Sequence, residues 1–145
     1  MIALLQRVSH ASVSVNDTKL AEIGAGLMVL SCVEPADTSA SAKRMAERIC
    51  GYRIFGDANG KMNRNVQDHG GAVLLIPQFT LAADTSKGMR PSFTRAAPPE
   101  LGKSLFDELA THISGTGVPL GLGQFGADMQ VNLTIDGPVT FWLQV

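Results

Sequence analysis

The chain opens on an apolar stretch, Ala3 to Val8, and then passes into alternation. Ala11, Val13 and Val15 are apolar, while Ser12 and Ser14 are polar. Period two is the mark of a half-buried strand. Asn16-Asp17 supplies turn chemistry, and residues 19–23 return as a partner strand. After Gly24-Ala25-Gly26, the run from Leu27 to Val33 is apolar on both faces, which predicts a central strand. Ala42, Met45, Ala46 and Ile49 then fall at i, i+3, i+4 and i+7, one stripe of a helix whose other faces carry Lys43, Arg44, Glu47 and Arg48. Asp37 is its expected N-cap, and Gly51 is expected at the C′ position, where it stops the helix.

Residues 52–55 read as a short strand, 57–60 as a turn and 63–70 as irregular. An apolar strand over 71–76 is expected to lose its ladder at Pro77, which has no N–H to give. Residues 82–97 read as a surface loop. Pro98-Pro99 opens a second helix, with Leu101, Leu105, Leu109 and Ile113 on its buried face. Two alternating strands close the chain, over 129–135 and 139–145, separated by Asp136-Gly137-Pro138. The pattern is α+β: mostly antiparallel β-sheets layered with two main helices, in a single domain spanning 1–145.

The composition changes this picture little. A charged fraction of 17% against 45% hydrophobic residues hints that another subunit covers part of the surface. The net charge is −1, but the charges are uneven: residues 43–103 hold ten Lys/Arg against five Asp/Glu, and none of the twelve basic residues lies beyond Lys103. One basic face for phosphates would fit this asymmetry. Cys32 and Cys50 form no C-x-x-C pair and are expected to be buried free thiols. The N-terminal residues lack the pattern of a signal peptide, and no apolar run is long enough to span a membrane, so a cytoplasmic location is expected.

The usual catalytic arrangements are missing. His10, His69 and His112 have no metal-ligand spacing, so neither metal nor other cofactor is expected. No G-x-S-x-G elbow or phosphate loop occurs. Two places hold interest. At Pro77-Gln78-Phe79-Thr80-Leu81 a buried strand ends in an amide, a hydroxyl and unpaired main chain, although a threonine there is commonly just a turn cap. At Asp136-Gly137-Pro138 a hairpin turn of Asp-Gly type is disturbed by the proline, and a cis Gly-Pro bond would resolve the conflict.

Five segments taken together resemble the D-aminoacyl-tRNA deacylase family. They are Ile2-Ala3-Leu4 with Gln6-Arg7-Val8, Gly51-Tyr52-Arg53-Ile54-Phe55, Gln78-Phe79-Thr80-Leu81, Gly88-Met89-Arg90-Pro91-Ser92-Phe93 and Asp136-Gly137-Pro138-Val139-Thr140-Phe141. Each alone is weak, but in this order, from one end of the chain to the other, they are specific. The resemblance implies a homodimer with its active site at the subunit interface. It implies hydrolysis of D-aminoacyl-tRNA and of glycyl-tRNA, with L-aminoacyl-tRNA refused by a Gly-cisPro motif at Gly137 and Pro138 that Arg7 supports. Gln78, Phe79 and Thr80 would form the catalytic segment, and Leu81, Pro91, Phe93 and Met129 would line the pocket. The family typically has serine where this chain has Pro77, which removes a hydroxyl and an N–H from the approach to Gln78.

D- and L-esters share every bond and charge, so selection needs fixed directions and a rigid wall, which main-chain groups supply. The N–H groups of Phe79 and Thr80 are candidates to stabilise the oxyanion. No side chain in the sequence stands out as a base for a Thr80 nucleophile, so attack by water helped by the ribose hydroxyl of the tRNA is the preferred route. Lys87, Arg90, Arg95 and Lys103 are the candidate tRNA contacts, with Lys43, Arg44 and Arg48 as a second group. No DNA or membrane partner is expected. The alternatives are a Thr80-dependent hydrolase of small esters and a nucleic-acid-binding module without catalysis.

Overall fold

The computed structural model describes every residue from Met1 to Val145. Its strands are β1 (Ile2–Val15), β2 (Thr18–Ile23), β3 (Gly26–Cys32), β4 (Phe55–Gly56), β5 (Met62–Arg64), β6 (Ala72–Pro77), β7 (Leu120–Leu122) and β8 (Gln130–Gln144). Its helices are α1 (Ser39–Gly51), the single turn α2 (Val66–His69) and α3 (Pro99–Ser114), with a 3-10 turn at Phe79–Ala82. One sheet runs β2-β1-β3-β6-β7, and β8 pairs with β1. Gly121 of β7 lies so near β2 that a Cβ on it would sit 3.0 Å from the Ala21 methyl, so the sheet is nearly closed on itself.

Antiparallel pairs predominate, as expected, but they do not make up the whole sheet. β1 is antiparallel to β2, β3 and β8, but β3-β6 and β6-β7 are parallel, so the sheet is mixed. The cause is that α1 and α3 serve as crossovers, as parallel neighbours require. The two N-terminal apolar segments are one strand, and the two C-terminal segments are another. Each bends where the pairing of β1 with β8 shifts register, between Gln6 and His10, and so stays paired through the polar residues that suggested a break.

Leu27, Val29, Val73 and Leu75 point to the helices and pack with Met45, Ile49, Leu105, Phe106, Leu109 and Ile113. Met28, Leu74 and Ile76 point the other way and pack with Val8, Val13 and Ile23 inside the curved sheet. Alternate positions of the central strands thus feed two cores, which is why these strands read as continuously apolar.

Local corrections have local causes. The N-cap of α1 is Thr38, not Asp37. Asp37 is engaged elsewhere, accepting from the Met1 ammonium at 2.6 Å and from the Glu34 N–H at 2.7 Å. Gly51 is the last helical residue, and Tyr52, in extended conformation, ends the helix. The strand expected at 52–55 is reduced to Phe55–Gly56, and the stretch read as irregular contains the end of β5 and all of α2, the latter capped by the Asn65 side chain, which accepts from the Asp68 N–H at 2.9 Å. Pro77 does not end the pairing: it stands beside Ser31, and the Gln78 N–H donates to the Ser31 carbonyl at 2.7 Å. The Leu75 carbonyl accepts from Gly123, so the N–H that Pro77 lacks would face the β7 side, where the strand has already stopped at Leu122.

Other expectations agree with the structure. Asn16 and Asp17 turn with positive φ (47° and 60°), α3 starts at Pro99, and both cysteines are free and buried. Burial pushes both thiols above the ordinary cysteine range. No helix is long and apolar enough to cross a membrane.

Candidate functional site

β6 delivers Gln78 to the rim of a cleft of about 310 Å³. The cleft is walled by Ile76, Pro77, Gln78 and Phe79 on one side and by residues 125–129 with Val131 on the other. Gln78 caps the 3-10 turn, whose first bond runs from the Leu81 N–H to the Gln78 carbonyl. A 3-10 turn begun in this way gives no acceptor to its first two N–H groups, those of Phe79 and Thr80. Phe79 is 57% exposed, and its ring meets the Phe93 ring edge-on at 5.1 Å between centroids. The amide of Gln78 donates to the Thr80 hydroxyl oxygen. No carboxylate, imidazole or amine is hydrogen-bonded to that hydroxyl, so nothing nearby is set to take its proton.

The remaining expected pocket residues are placed differently. Met129 is in the cleft wall, where its sulfur accepts from the Gln124 N–H at 3.3 Å. Leu81 packs under the turn with Ile2, Cys32 and Ala82. Pro91 is exposed on the 82–97 loop. The opposite wall, Phe125 to Asp128, drew no attention in the sequence. Its signals were the glycines Gly123 and Gly126, which bracket Gln124-Phe125 ahead of a strongly alternating strand.

The second candidate place lies at the bend of β8. The Gly137-Pro138 peptide bond is cis, and Asp136, Gly137 and Pro138 are all exposed. Arg7, across on β1, ties this corner down. Its Nε donates to the Asp136 carbonyl at 3.2 Å and stands 3.1 Å from the Asp136 carboxylate, while Nη1 donates to the Ile54 carbonyl at 2.8 Å. A single guanidinium so links the corner to the segment between α1 and β4, with its own side chain only 16% exposed.

The basic residues are spread out. Lys87 and Arg90 are exposed on the loop, on either side of Gly88 and the fully exposed Met89. Arg95 stands 4.0 Å from the Asp84 carboxylate. Lys103 pairs with Asp107 at 2.6 Å along α3, beside Phe125 and Gly126 of the cleft wall. On α1, Arg44 pairs with Glu47, Arg48 donates to the Gln144 carbonyl, and Lys43 is exposed. No three His, Cys, Asp or Glu side chains converge on one point.

An α+β fold with a cleft at a strand end and unclaimed amides beside it is a frame for ester hydrolysis, and the comparisons assign the class: the protein is a hydrolase. A family model described as D-Tyr-tRNA(Tyr) deacylase matches residues 4–144, and the chain belongs to that family. It is 57% identical to the D-aminoacyl-tRNA deacylase of Cronobacter sakazakii, with all of both chains covered. It is 60% identical to that of Herminiimonas arsenicoxydans, over all of this chain and 97% of the other. Among solved structures, one named c-Myc DNA Unwinding Element Binding Protein superposes with a TM-score of 0.94 at 34% identity, over 100% of this chain and 99% of that one. A probable eukaryotic D-amino acid tRNA deacylase shares the fold, with a TM-score of 0.85 at 16% identity over 99% and 98%.

Proposed function

We propose that this deacylase hydrolyses D-aminoacyl-tRNA, and glycyl-tRNA with it, in the cleft beside Gln78, and that the corner at Gly137-Pro138 of a second copy enters that cleft to refuse L-esters. The observation behind this reading is the length of β8. Val131 lines the cleft and Gly137 makes the corner, both on one continuous strand. At about 3.3 Å per residue, six residues of strand can hold them as much as roughly 20 Å apart. A corner held away from the cleft of its own chain suits the cleft of another, as a two-fold dimer allows. The surface suits such a partner. β8 pairs only with β1, which leaves its outer edge unpaired, and Ile135 and Trp142 on it are 37% and 51% exposed.

In the cleft, the free N–H groups of Phe79 and Thr80 would face the oxyanion. One such donor is worth about 2.7–4 kcal/mol in the transition state. With no base at Thr80, attack falls to water assisted by the ribose hydroxyl of the terminal nucleotide. Thr80→Ala is therefore expected to keep its single-turnover rate within about tenfold of wild type. A loss beyond about a thousandfold would make Thr80 the nucleophile after all.

The experiment for the whole reading offers D-tyrosyl-, L-tyrosyl- and glycyl-tRNA to the protein and follows release of amino acid. The D and glycyl esters should be cleaved and the L ester spared. Equal rates on both tyrosyl enantiomers would end it. Absence of release from all three substrates would remove the substrate assignment altogether.

For tRNA binding, Lys87, Arg90, Arg95 and Lys103 are the proposed phosphate contacts. Four such contacts predict that affinity falls about 50- to 150-fold between 50 and 200 mM salt. A filter-binding titration that is flat over this range would remove the assignment.

A further inference from the structure

Ser31 carries the one buried side-chain hydroxyl in the chain without a hydrogen-bond partner. The residue is 5% exposed and lies on β3, next to Pro77 in the parallel register. Buried hydroxyls in folded proteins are almost always satisfied, by protein or by water. Pro77 cannot serve here, since it has neither an N–H nor a polar side chain. Ser31 does, however, line a second, much smaller cavity of about 30 Å³. Pro77, Gln78 and Phe79 form one side of this cavity, and Gly102, Phe106 and Phe125 the other. Gly102 lets the Phe125 ring approach α3 closely, for a Cβ there would come within 3.2 Å of that ring.

The volume suits one water, and Ser31, with its unpartnered hydroxyl, shares the cavity wall with Gln78 and Phe79. The cavity shares Pro77, Gln78, Phe79 and Phe125 with the cleft, so it lies behind the segment that carries the unclaimed amides. We infer that Ser31 holds a single water in this cavity and, through it, braces the Gln78-Phe79 segment from behind, which makes Ser31 a positioning residue for deacylation. The inference rests on the proposal that the Phe79 and Thr80 amides meet the oxyanion. A brace of this kind acts on the transition state and not on the affinity for substrate.

Two measurements on the full-length protein test it. A high-resolution crystal structure of the wild type should show an ordered water within hydrogen-bond distance of Ser31 Oγ. In Ser31→Ala, kcat on D-tyrosyl-tRNA should fall about five- to tenfold with KM unchanged, while the melting temperature holds or rises. A hydroxyl that is merely orphaned predicts otherwise: its removal relieves an unsatisfied group, so stability would rise with kcat intact. An empty cavity in the wild type, or an unchanged kcat in Ser31→Ala, overturns the inference. A wild type that failed to prefer D-esters would count against the chiral reading alone, because electron density at Ser31 decides the water separately.

Discussion

Gly137→Ala is expected to lower kcat/KM on D-tyrosyl-tRNA by about a hundredfold or more, the equivalent of about 2.7 kcal/mol. Gly137 has φ of +133°, a region that residues with a side chain rarely enter. A Cβ placed there would lie 2.7 Å from Val139 Cγ2, 2.9 Å from the Val139 nitrogen and 3.3 Å from Arg7 Nη2. The Val139 rotamer could move, but the main-chain nitrogen could not without displacing the corner. The shift would be passed to Arg7, whose contacts with the Asp136 and Ile54 carbonyls hold the corner in place. Because the corner is exposed, the fold can absorb the change, and the melting temperature should fall by no more than a few degrees. Steady-state kinetics beside a thermal melt separates the two effects. Near-normal discrimination between D- and L-tyrosyl-tRNA in this variant would remove the corner from the mechanism.

A second glycine should produce the opposite profile. Gly26→Ala is expected to cost about 3–5 kcal/mol of stability, a drop of about 10–15 °C in Tm. Gly26 is paired with Ala72 across the parallel β3-β6 junction, and a Cβ on it would fall 2.0 Å from the Ala72 carbonyl oxygen and 2.8 Å from its nitrogen. Both obstacles are main chain, so no rotamer change relieves them. The strands would have to part at the place where the Ala72 N–H donates to the Ala25 carbonyl. What remains folded should be normally active, since the cleft lies at the other end of β6. A Gly26→Ala protein that melts with the wild type would mean that β3 and β6 approach less closely than described.

How much of this was legible beforehand depended on how local the cause was. The stripes of α1 and α3, the Asn16-Asp17 turn and the alternation of β8 follow from neighbours in sequence, and all are found. The direction of β6 is not local: the apolar run at 72–76 reads alike whether its neighbour is parallel or antiparallel, and only the crossover through α1 decides. Asp37 was expected to cap α1 because its chemistry suits that task, but a carboxylate cannot also be spent on a cap while it binds the Met1 ammonium brought in by β1. At the site, Gln78, Phe79 and Gly137 stood out through resemblance. Ser31 and Phe125 did not, because a serine in an apolar strand and a phenylalanine between glycines acquire meaning only once the fold sets them beside Pro77.

The pairing of β1 with β8 has a bearing on how the molecule is made. Ile2 is matched to Gln144 and Ala3 to Leu143, so β1 must wait for β8, a strand synthesised much later, before its pairing is complete. Until then β1 can hold β2 and β3 but leaves a flank open, with apolar Leu5, Val8 and Val13 only partly covered. Contacts between such distant parts of a chain slow folding, because the loop must close before the pairing rewards it. The nascent protein should therefore gain its protease resistance only after release of the C-terminal strand, and pulse proteolysis of stalled chains ending before residue 130 would find them still open to cleavage.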